Sequence, residues 1–317
     1  MASAPHLDPP QRLVRALGAD SPWLAALPSL ARDALDRWEL TAERVVAPGG
    51  RGSLVVLVRR ADGTPAALKL RAAGAGAEAA ALARWDGHGA VRLLEAAPEA
   101  DALLLERLHA EVSLRSLPEA KANLEAVSAL RRLWVPPASG GVPGAPGSPG
   151  TGSAPPVPAP FTTVERHTGR AVDRIRRHTP PQARSLAEEA LAVRSGLLAD
   201  TPENLLLHGD FRQGAVLSAD PGRAHWLAAG PDPLVGERAY DLARLIRDRL
   251  HDLMAGSGGA ARTRRRIAKL ADSLEVDRDR LRGWSLYRAV ESGTRQLAAG
   301  NRADGELLLE FASWLRD

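Results

Sequence analysis

The stretch HGDFRQGAVL, residues 208–217, says most about the fold of this 317-residue chain. It holds one acidic residue, Asp210, in a tight His-Gly-Asp turn. It lies between two apolar runs, LLL at 205–207 and WLAA at 226–229. Short apolar runs beside a turn are typical of strands, and catalytic residues are concentrated in loops that such strands hold in place. Asp210 is therefore a candidate catalytic residue.

The composition indicates a globular protein. Hydrophobic residues make up 44% of the chain, enough for the core of one large domain or of two lobes. Cysteine is absent, which excludes disulfides, thiolate metal ligands and thiol nucleophiles. Residues 1–18 lack the apolar segment of a signal peptide, and no apolar run reaches the ~18 residues that span a membrane. We expect a cytoplasmic protein with no membrane partner.

The charge pattern does not favour a nucleic-acid partner. The net charge is +4, and of 42 basic residues only three are lysines. Most arginines alternate with acidic residues, as in 244–252 and 276–284, a pattern typical of solvated helix faces. The densest basic run, RTRRRIAK at 262–269, has no neighbouring aromatic residues. We therefore expect no binding to nucleic acid.

The first third of the chain predicts a helix followed by a small sheet. Apolar residues recur at helical spacing over 10–45. Residues 53–60 and 65–71, joined by the turn ADGT, predict a β-hairpin. A helix at 77–87 should end at its glycine, and 91–108 predicts two further strands around a turn.

The rest of the chain is mainly helical in pattern. We predict an N-terminal helical segment at 1–40, a sheet lobe at 41–108 and a mainly helical lobe at 109–317. Within the last, 136–160 holds nine prolines and six glycines and should form a disordered loop. The fold class is therefore α+β, with a small antiparallel sheet and a larger helical lobe.

Three features of the sheet lobe suit phosphate binding. Gly50 and Gly52, in APGGRGS at 47–53, would let backbone N–H groups approach phosphates, although glycine-rich hairpin turns are also common. Lys69 is one of the few lysines and lies on an apolar strand, where its ammonium group needs an anion. Glu78, nine residues later on a helix, could pair with it. A surface lysine and a solvated glutamate are the alternative reading.

The region around Asp210 resembles a known family. HGDFRQGAVL and the following HWLAAGPDPLVGERAYDLARLIRDR resemble the catalytic region of the aminoglycoside phosphotransferase superfamily. The branch is the streptomycin kinase family, the aminoglycoside and hydroxyurea antibiotic-resistance kinases. PLVG at 233–236 and AYDLA at 239–243 match the family pattern. The resemblance extends from about Trp38 to near the C-terminus, apart from the Pro/Gly segment.

The resemblance implies a two-lobed protein-kinase-like fold that transfers a phosphoryl group from ATP to an alcohol group of an aminoglycoside-like small molecule. Lys69 corresponds to the lysine that contacts nucleotide phosphates, with Glu78 as its partner. Gly50 and Gly52 would line the phosphate site, and Glu106 lies in the segment that would meet adenine.

The same resemblance assigns roles around the His-Gly-Asp turn. Asp210 corresponds to the catalytic base, which accepts or orients the proton of the substrate hydroxyl. Asp241 corresponds to a structural acid that connects the following helix to the catalytic loop. We expect His208 to pack and form hydrogen bonds in the loop rather than to titrate.

Two positions depart from the family pattern. The metal-binding Asn, five residues after the catalytic Asp, falls on Ala215, and the second metal-binding residue, an Asp, falls on Gly230. Neither side chain has an oxygen, and Mg²⁺ requires oxygen ligands. Loss of both ligands should cost several orders of magnitude in rate, about 4 kcal/mol or more.

Two interpretations therefore stay open. One is a pseudokinase that still binds ATP or another anion, with no protein ligands for magnesium. The other is an active antibiotic or metabolite phosphotransferase that uses a different metal ligand, such as Asp232, two residues beyond Gly230. Neither interpretation identifies a protein partner.

Overall fold

The computed structural model describes residues 7–137 and 161–316. It has the expected α+β class, with an antiparallel sheet in its N-terminal part and mostly helices in its C-terminal part. The predicted Pro/Gly loop at 136–160 lies outside the described residues apart from its first two positions. Among the described residues, no helix is both long and apolar enough to cross a membrane.

The secondary structure elements are numbered separately for helices and strands, in chain order. The helices are α1 (Gln11–Leu17), α2 (Pro22–Arg37), α3 (Ala75–Trp85), α4 (Glu119–Leu133), α5 (Val164–Gly169), α6 (Val172–His178), α7 (Arg184–Ala199), α8 (Arg238–Ile246), α9 (Leu250–Ala255), α10 (Gly259–Leu274), α11 (Arg278–Ala298) and α12 (Arg302–Ser313). The strands are β1 (Thr41–Val45), β2 (Ser53–Arg59), β3 (Pro65–Arg71), β4 (Leu93–Ala97), β5 (Ala102–Glu106), β6 (His109–Ser113), β7 (Thr162–Thr163), β8 (Leu205–Leu207), β9 (Val216–Ser218), β10 (Trp226–Ala228) and β11 (Leu234–Gly236).

The chain divides into two compact units. The first unit contains the described residues up to Leu117 and the segment Gly214–Asp232, and the second contains the remainder. The sequence pattern placed 214–232 in the helical lobe, 109–317, whereas the structure groups this segment with the first unit. The segment belongs there because β9 pairs antiparallel with both β10 and β6. Strand β6 is itself an element that the sequence pattern did not predict.

The first unit is built on an antiparallel sheet with strand order β1-β2-β3-β5-β4. One face of this sheet packs against α1 and α2. Leu27, Ala31 and Ala34 follow one another at helical spacing on α2 and lie in one core cluster with Val56 and Val58 of β2. Alternation along the strand sends these valines to one face because successive side chains of a strand point in opposite directions.

The same alternation positions the candidate site on the other face. On β3, Leu68 and Leu70 belong to the core cluster beneath α2, and Lys69 between them does not. Helix α3 packs beside β4 and β5, where its Glu78 contacts Lys69. An apolar strand therefore carries one lysine to the face that holds α3.

The prediction of helix throughout 10–45 was wrong in its last part. Helix α1 ends at Leu17 and α2 at Arg37, and Thr41–Val45 forms strand β1. This segment pairs antiparallel with β2, for example Thr41 with Arg59. Pairing with a strand that lies later in the chain is a tertiary effect, which local helical spacing does not reveal.

The second unit is organised around α11, which packs against α6, α7, α8, α10 and α12. A small sheet of order β7-β11-β8 lies in the same unit. The family motif PLVG forms β11, and its Gly236 approaches β7 and α5 closely. A Cβ atom added to Gly236 would lie 2.5 Å from Cγ2 of Val164. Only glycine fits between these elements without a shift of the chain.

We predict that Gly236→Ala lowers the free energy of unfolding by about 1–3 kcal/mol, because the added methyl group overpacks against Val164. Gly196→Ala on α7 is the control, since no atom lies within 4 Å of its added Cβ. That variant should be neutral or stabilising by up to about 1 kcal/mol. Urea unfolding followed by tryptophan fluorescence measures both. Equal stability of the two variants would contradict the close packing at Gly236.

Candidate active site

The candidate nucleotide site in the first unit centres on a buried carboxylate. Glu78 accepts hydrogen bonds from Nζ of Lys69 at 2.7 and 2.8 Å, one to each carboxylate oxygen. Nη1 of Arg71 donates to the second oxygen at 2.6 Å. Burial opposes ionisation of Glu78, but the two cations outweigh it and hold the pKa of this carboxyl below its usual range. The alternative interpretation, a surface lysine and a solvated glutamate, does not apply to this pair, since both side chains are buried.

Arg71 was not singled out in the sequence, yet it connects β3 to the segment that follows β10. Its Nη1 also donates to the backbone oxygen of Pro231 at 3.0 Å, and its Nη2 lies 3.6 Å from the carboxylate of Asp232. The Asp232 side chain is 62% exposed. The carboxylate proposed as a substitute metal ligand therefore has a guanidinium group as its neighbour.

Gly230 lies next to the same cations. Its φ of +66° is in the left-handed region, which favours glycine. A Cβ atom added to Gly230 would lie 3.7 Å from Nζ of Lys69. A side chain here would thus point close to the buried ammonium group. Ala215, the other position assigned to a metal ligand by the resemblance, is buried and offers only its methyl group as a side chain.

The remaining residues predicted for the nucleotide site lie in the same unit. Gly50 and Gly52 lie in the loop before β2, and the carbonyl of Gly52 accepts a hydrogen bond from the backbone N–H of Ala72 at 3.1 Å. Glu106 ends β5, where its carboxylate accepts the N–H of Arg92 at 2.6 Å and pairs with Arg223. Contacts of these residues with a nucleotide stay a prediction.

In the second unit, the carboxylate of Asp210 is held by two guanidinium groups. Nε of Arg212 lies 3.2 Å from Oδ2, and Nε of Arg244 lies 3.2 Å from Oδ1. Partial burial opposes ionisation, but Arg244 and Arg212 outweigh it and hold the pKa of Asp210 well below its usual range. Each oxygen of the candidate base therefore has one guanidinium partner, and a carboxylate with so low a pKa is a poor proton acceptor near neutral pH.

The His-Gly-Asp turn is fixed to α8 by a buried carboxylate. Oδ2 of Asp241 accepts the backbone N–H of His208 at 2.9 Å, and Oδ1 accepts that of Gly209 at 2.9 Å. The indole N–H of Trp134 also donates to Asp241, at 3.2 Å. The His208 ring is buried and packs edge-on against Phe211, with ring centroids 5.6 Å apart.

The side chains that the sequence did not identify are arginines. Arg212 was not singled out, and Arg244 and Arg247 were taken with the solvated arginines of 244–252, but Arg247 is only 8% exposed and Arg244 contacts Asp210. The prediction of a solvated face was therefore wrong for Arg244 on α8 and for Arg247 just after it. Arg212 is two residues from Asp210, and Arg244 is three residues from Asp241. This closeness in sequence to the two acids is the only local signal that could have marked these arginines as site residues. Within the described parts of the chain, no cluster of three or more His, Asp or Glu side chains could hold a metal ion.

Comparison with known proteins establishes the family. The pattern of the aminoglycoside/hydroxyurea antibiotic resistance kinases matches residues 37–300. The chain is 35% identical to the streptomycin 6-kinase of Streptomyces glaucescens, over 95% of this chain and 94% of that protein. It is also 35% identical to the hydroxyurea phosphotransferase of Kitasatospora aureofaciens, over 85% of this chain and 73% of that protein. The chain belongs to the aminoglycoside/hydroxyurea antibiotic resistance kinase family.

Solved structures share the fold at lower sequence identity. Aminoglycoside phosphotransferase APH(4)-Ia is similar with a TM-score of 0.59 and 15% identity, over 91% of this chain and 98% of that one. Choline kinase LicA from Streptococcus pneumoniae is similar with a TM-score of 0.60 and 10% identity, over 90% and 98% of the two chains. The two-lobed protein-kinase-like fold is thereby confirmed.

We predict that Glu78→Gln lowers the free energy of unfolding by about 3–5 kcal/mol, because it leaves the cations of Lys69 and Arg71 buried without a counter-charge. Glu99→Gln, which removes the partner of Arg37 at the surface, is the control and should change stability little. Urea unfolding at pH 7 measures both.

The Glu78 effect should also depend on pH. The pKa of Glu78 is lowered in the folded protein. The ionised carboxylate therefore contributes its full stabilisation at pH values above its pKa in the unfolded chain, about 4.3, and this contribution is lost as the pH falls through its lower pKa in the folded protein. The difference between wild type and Glu78→Gln should therefore shrink below about pH 4.3. A difference that grows on acidification would contradict the buried ion pair.

Proposed function

We propose that this member of the family is a pseudokinase: it keeps the means to bind a nucleotide or a similar anion but transfers phosphoryl groups very poorly. The observation that carries this proposal is the double ion pair of Asp210 with Arg212 and Arg244. A general base must have an oxygen available and a pKa not far below the working pH. While both guanidinium groups are in place, the pKa of Asp210 does not meet the second requirement, and each of its oxygens already accepts from one of them.

The residues present do not fit a magnesium ion at the positions that the resemblance assigns to its ligands. Ala215 offers a methyl group, and Gly230 has no side chain and a backbone conformation that favours glycine. The nearest side chain to a Cβ at 230 is the ammonium group of Lys69, which would repel a cation. Magnesium needs several oxygen ligands at short distance. We therefore derive no step of phosphoryl transfer through a metal.

A bound nucleotide suits the first unit better. Lys69 and Arg71 present two positive charges on one buried glutamate, and phosphate groups are recognised by such guanidinium and ammonium donors. In the absence of metal ligands, these side chains would carry the electrostatic attraction to the phosphates. We therefore propose that ATP binding by this chain does not require magnesium.

The second candidate is an active phosphotransferase that uses Asp232 as its metal ligand, acting on an alcohol group of an aminoglycoside-like small molecule. The exposure of the Asp232 carboxylate favours it. The position of Arg71 3.6 Å away disfavours it, since the guanidinium group competes with a metal ion for this carboxylate. The names of the relatives supply the acceptors to test, streptomycin and hydroxyurea.

The direct test is phosphoryl transfer from radiolabelled ATP to streptomycin and to hydroxyurea. We expect product at no more than background level in wild type, with no further loss in Asp210→Ala. Asp232→Asn separates the two candidates, because only the active phosphotransferase depends on that carboxylate. Turnover that both variants abolish would overturn the proposal and establish the second candidate. Turnover that only Asp210→Ala abolishes would also overturn it.

We predict that restoring the two oxygen ligands changes the magnesium dependence of ATP binding. Wild type should show the same rise in melting temperature with ATP in EDTA as in magnesium. Ala215→Asn with Gly230→Asp should gain a magnesium-dependent rise. The matched control is Ala215→Asn with Gly230→Ala, which carries the same backbone cost at φ +66° but supplies no oxygen at 230. A magnesium-dependent rise already present in wild type would contradict the interpretation that this chain has no protein ligands for magnesium.

A further inference from the structure

One cavity lies entirely within the second unit and is rich in arginine. Its volume is about 230 Å³, and four arginines line it: Arg170, Arg174, Arg288 and Arg295. The only acidic side chain in its lining is Glu291. This size suits a small metabolite rather than a drug-sized ligand.

The single carboxylate does not balance these charges. Glu291 already pairs with Nη2 of Arg174 at 2.5 Å and lies 3.6 Å from Nη1 of Arg295. Burial opposes its ionisation, but Arg295 and Arg174 outweigh it and lower the pKa of Glu291. The carboxylate is thus ionised and has two guanidinium partners. The cavity as a whole remains positively charged.

Two buried nitrogen atoms, one in the cavity wall and one near it, have no acceptor among the described residues. They are Nε of Arg174, which lines the cavity, and Nε of Arg247, which lies near Glu291 and Arg295. The Arg247 side chain makes one long hydrogen bond, 3.4 Å from Nη1 to the carbonyl of Arg288. Buried donors without acceptors are rare in folded proteins. An anion in the cavity would supply an acceptor to Nε of Arg174, which lines it.

The cavity wall is joined to the turn that holds Asp210. Nη2 of Arg288 donates to the carbonyl of Gly209 at 2.8 Å, and its Nη1 donates to the carbonyl of Tyr240 at 3.0 Å. Its guanidinium group also lies over the Tyr240 ring, 4.5 Å from the centroid. These contacts place the Arg288 side chain between the cavity and the His-Gly-Asp turn.

We propose that this cavity binds a small anion through a carboxylate or phosphate group, and that it excludes polycationic amines. Guanidinium groups form charge-assisted hydrogen bonds with both kinds of anion. An aminoglycoside carries several positive charges and would meet four arginines against one neutralised glutamate. The inference concerns binding alone and does not depend on whether the chain transfers phosphoryl groups.

Isothermal titration calorimetry of the full chain in a chloride buffer tests the proposal, with inorganic phosphate, succinate and streptomycin as separate probes. We expect binding of phosphate, succinate or both at one site per chain, and no binding of streptomycin. The phosphate and succinate arms distinguish the two anion chemistries. Binding of streptomycin with no binding of either anion would overturn the proposal, as would the absence of binding by any probe.

Two variants, one that removes a positive charge from the cavity and one that removes a negative charge, test where the anion binds. Arg295→Gln should weaken its binding at least tenfold, and this residue is 51% exposed, so the substitution is tolerated by the fold. Glu291→Gln should strengthen anion binding several-fold, whereas a cation site would be weakened by it. Arg177→Gln is the matched control, since it removes one positive charge from α6, the helix of Arg174, at a side chain 74% exposed. Anion binding that responds equally to Arg177→Gln and Arg295→Gln, or not at all to Glu291→Gln, would place the anion elsewhere and overturn the proposal.

Discussion

The carboxylate of Asp241 is the constraint on which the second unit depends most. It accepts the N–H groups of His208 and Gly209 and the indole N–H of Trp134, so one buried charge joins the His-Gly-Asp turn, α8 and the end of α4. Arg244 lies one helical turn further along α8, on the same face as Asp241. By fixing the turn to this helix, Asp241 also brings Arg244 to Asp210. The scaffold that presents the candidate base therefore also neutralises it.

The first unit repeats this balance of charges around a different carboxylate. Glu78 has two cationic partners, Lys69 and Arg71, and Arg71 extends the network to Asp232. In both units, a candidate site acid, Glu78 or Asp210, has an arginine beside it. The positions assigned to metal ligands offer no side-chain oxygen. The chain thus combines the fold of its family with acids that are paired to arginines in both units.

Arginine serves two purposes in this protein. At the surface it pairs with acidic neighbours, as Arg37 does with Glu99. At the cavity in the second unit, four arginines face the one carboxylate of Glu291, which is unusual because a charge shielded from water normally requires a partner. The cavity at Glu291 lies among these arginines. A ligand that supplies negative charge would complete the interactions that the chain itself leaves incomplete.

Much of the fold was predictable from local pattern. The hairpin of β2 and β3, the helix that carries Glu78 and the short strands β9 and β10 follow from periodicity and turn residues, because these signals act over a few neighbouring positions. The family motifs located Asp210 and Asp241. Strands β1 and β6 were missed, since each exists through pairing with a segment distant in the chain.

The sequence by itself determined which atoms are available: a lysine on an apolar strand, an aspartate in a turn, and no side-chain oxygen at Ala215 or Gly230. Only the tertiary structure decided which charges meet. Arg244 lies 34 residues from Asp210 in the chain, and Arg71 lies 160 residues from Pro231, yet each pair is in contact. An arginine on a helix looks the same in sequence whether its guanidinium faces water or a buried carboxylate. The packing of the helices decides between them, because burial makes an unpaired charge costly.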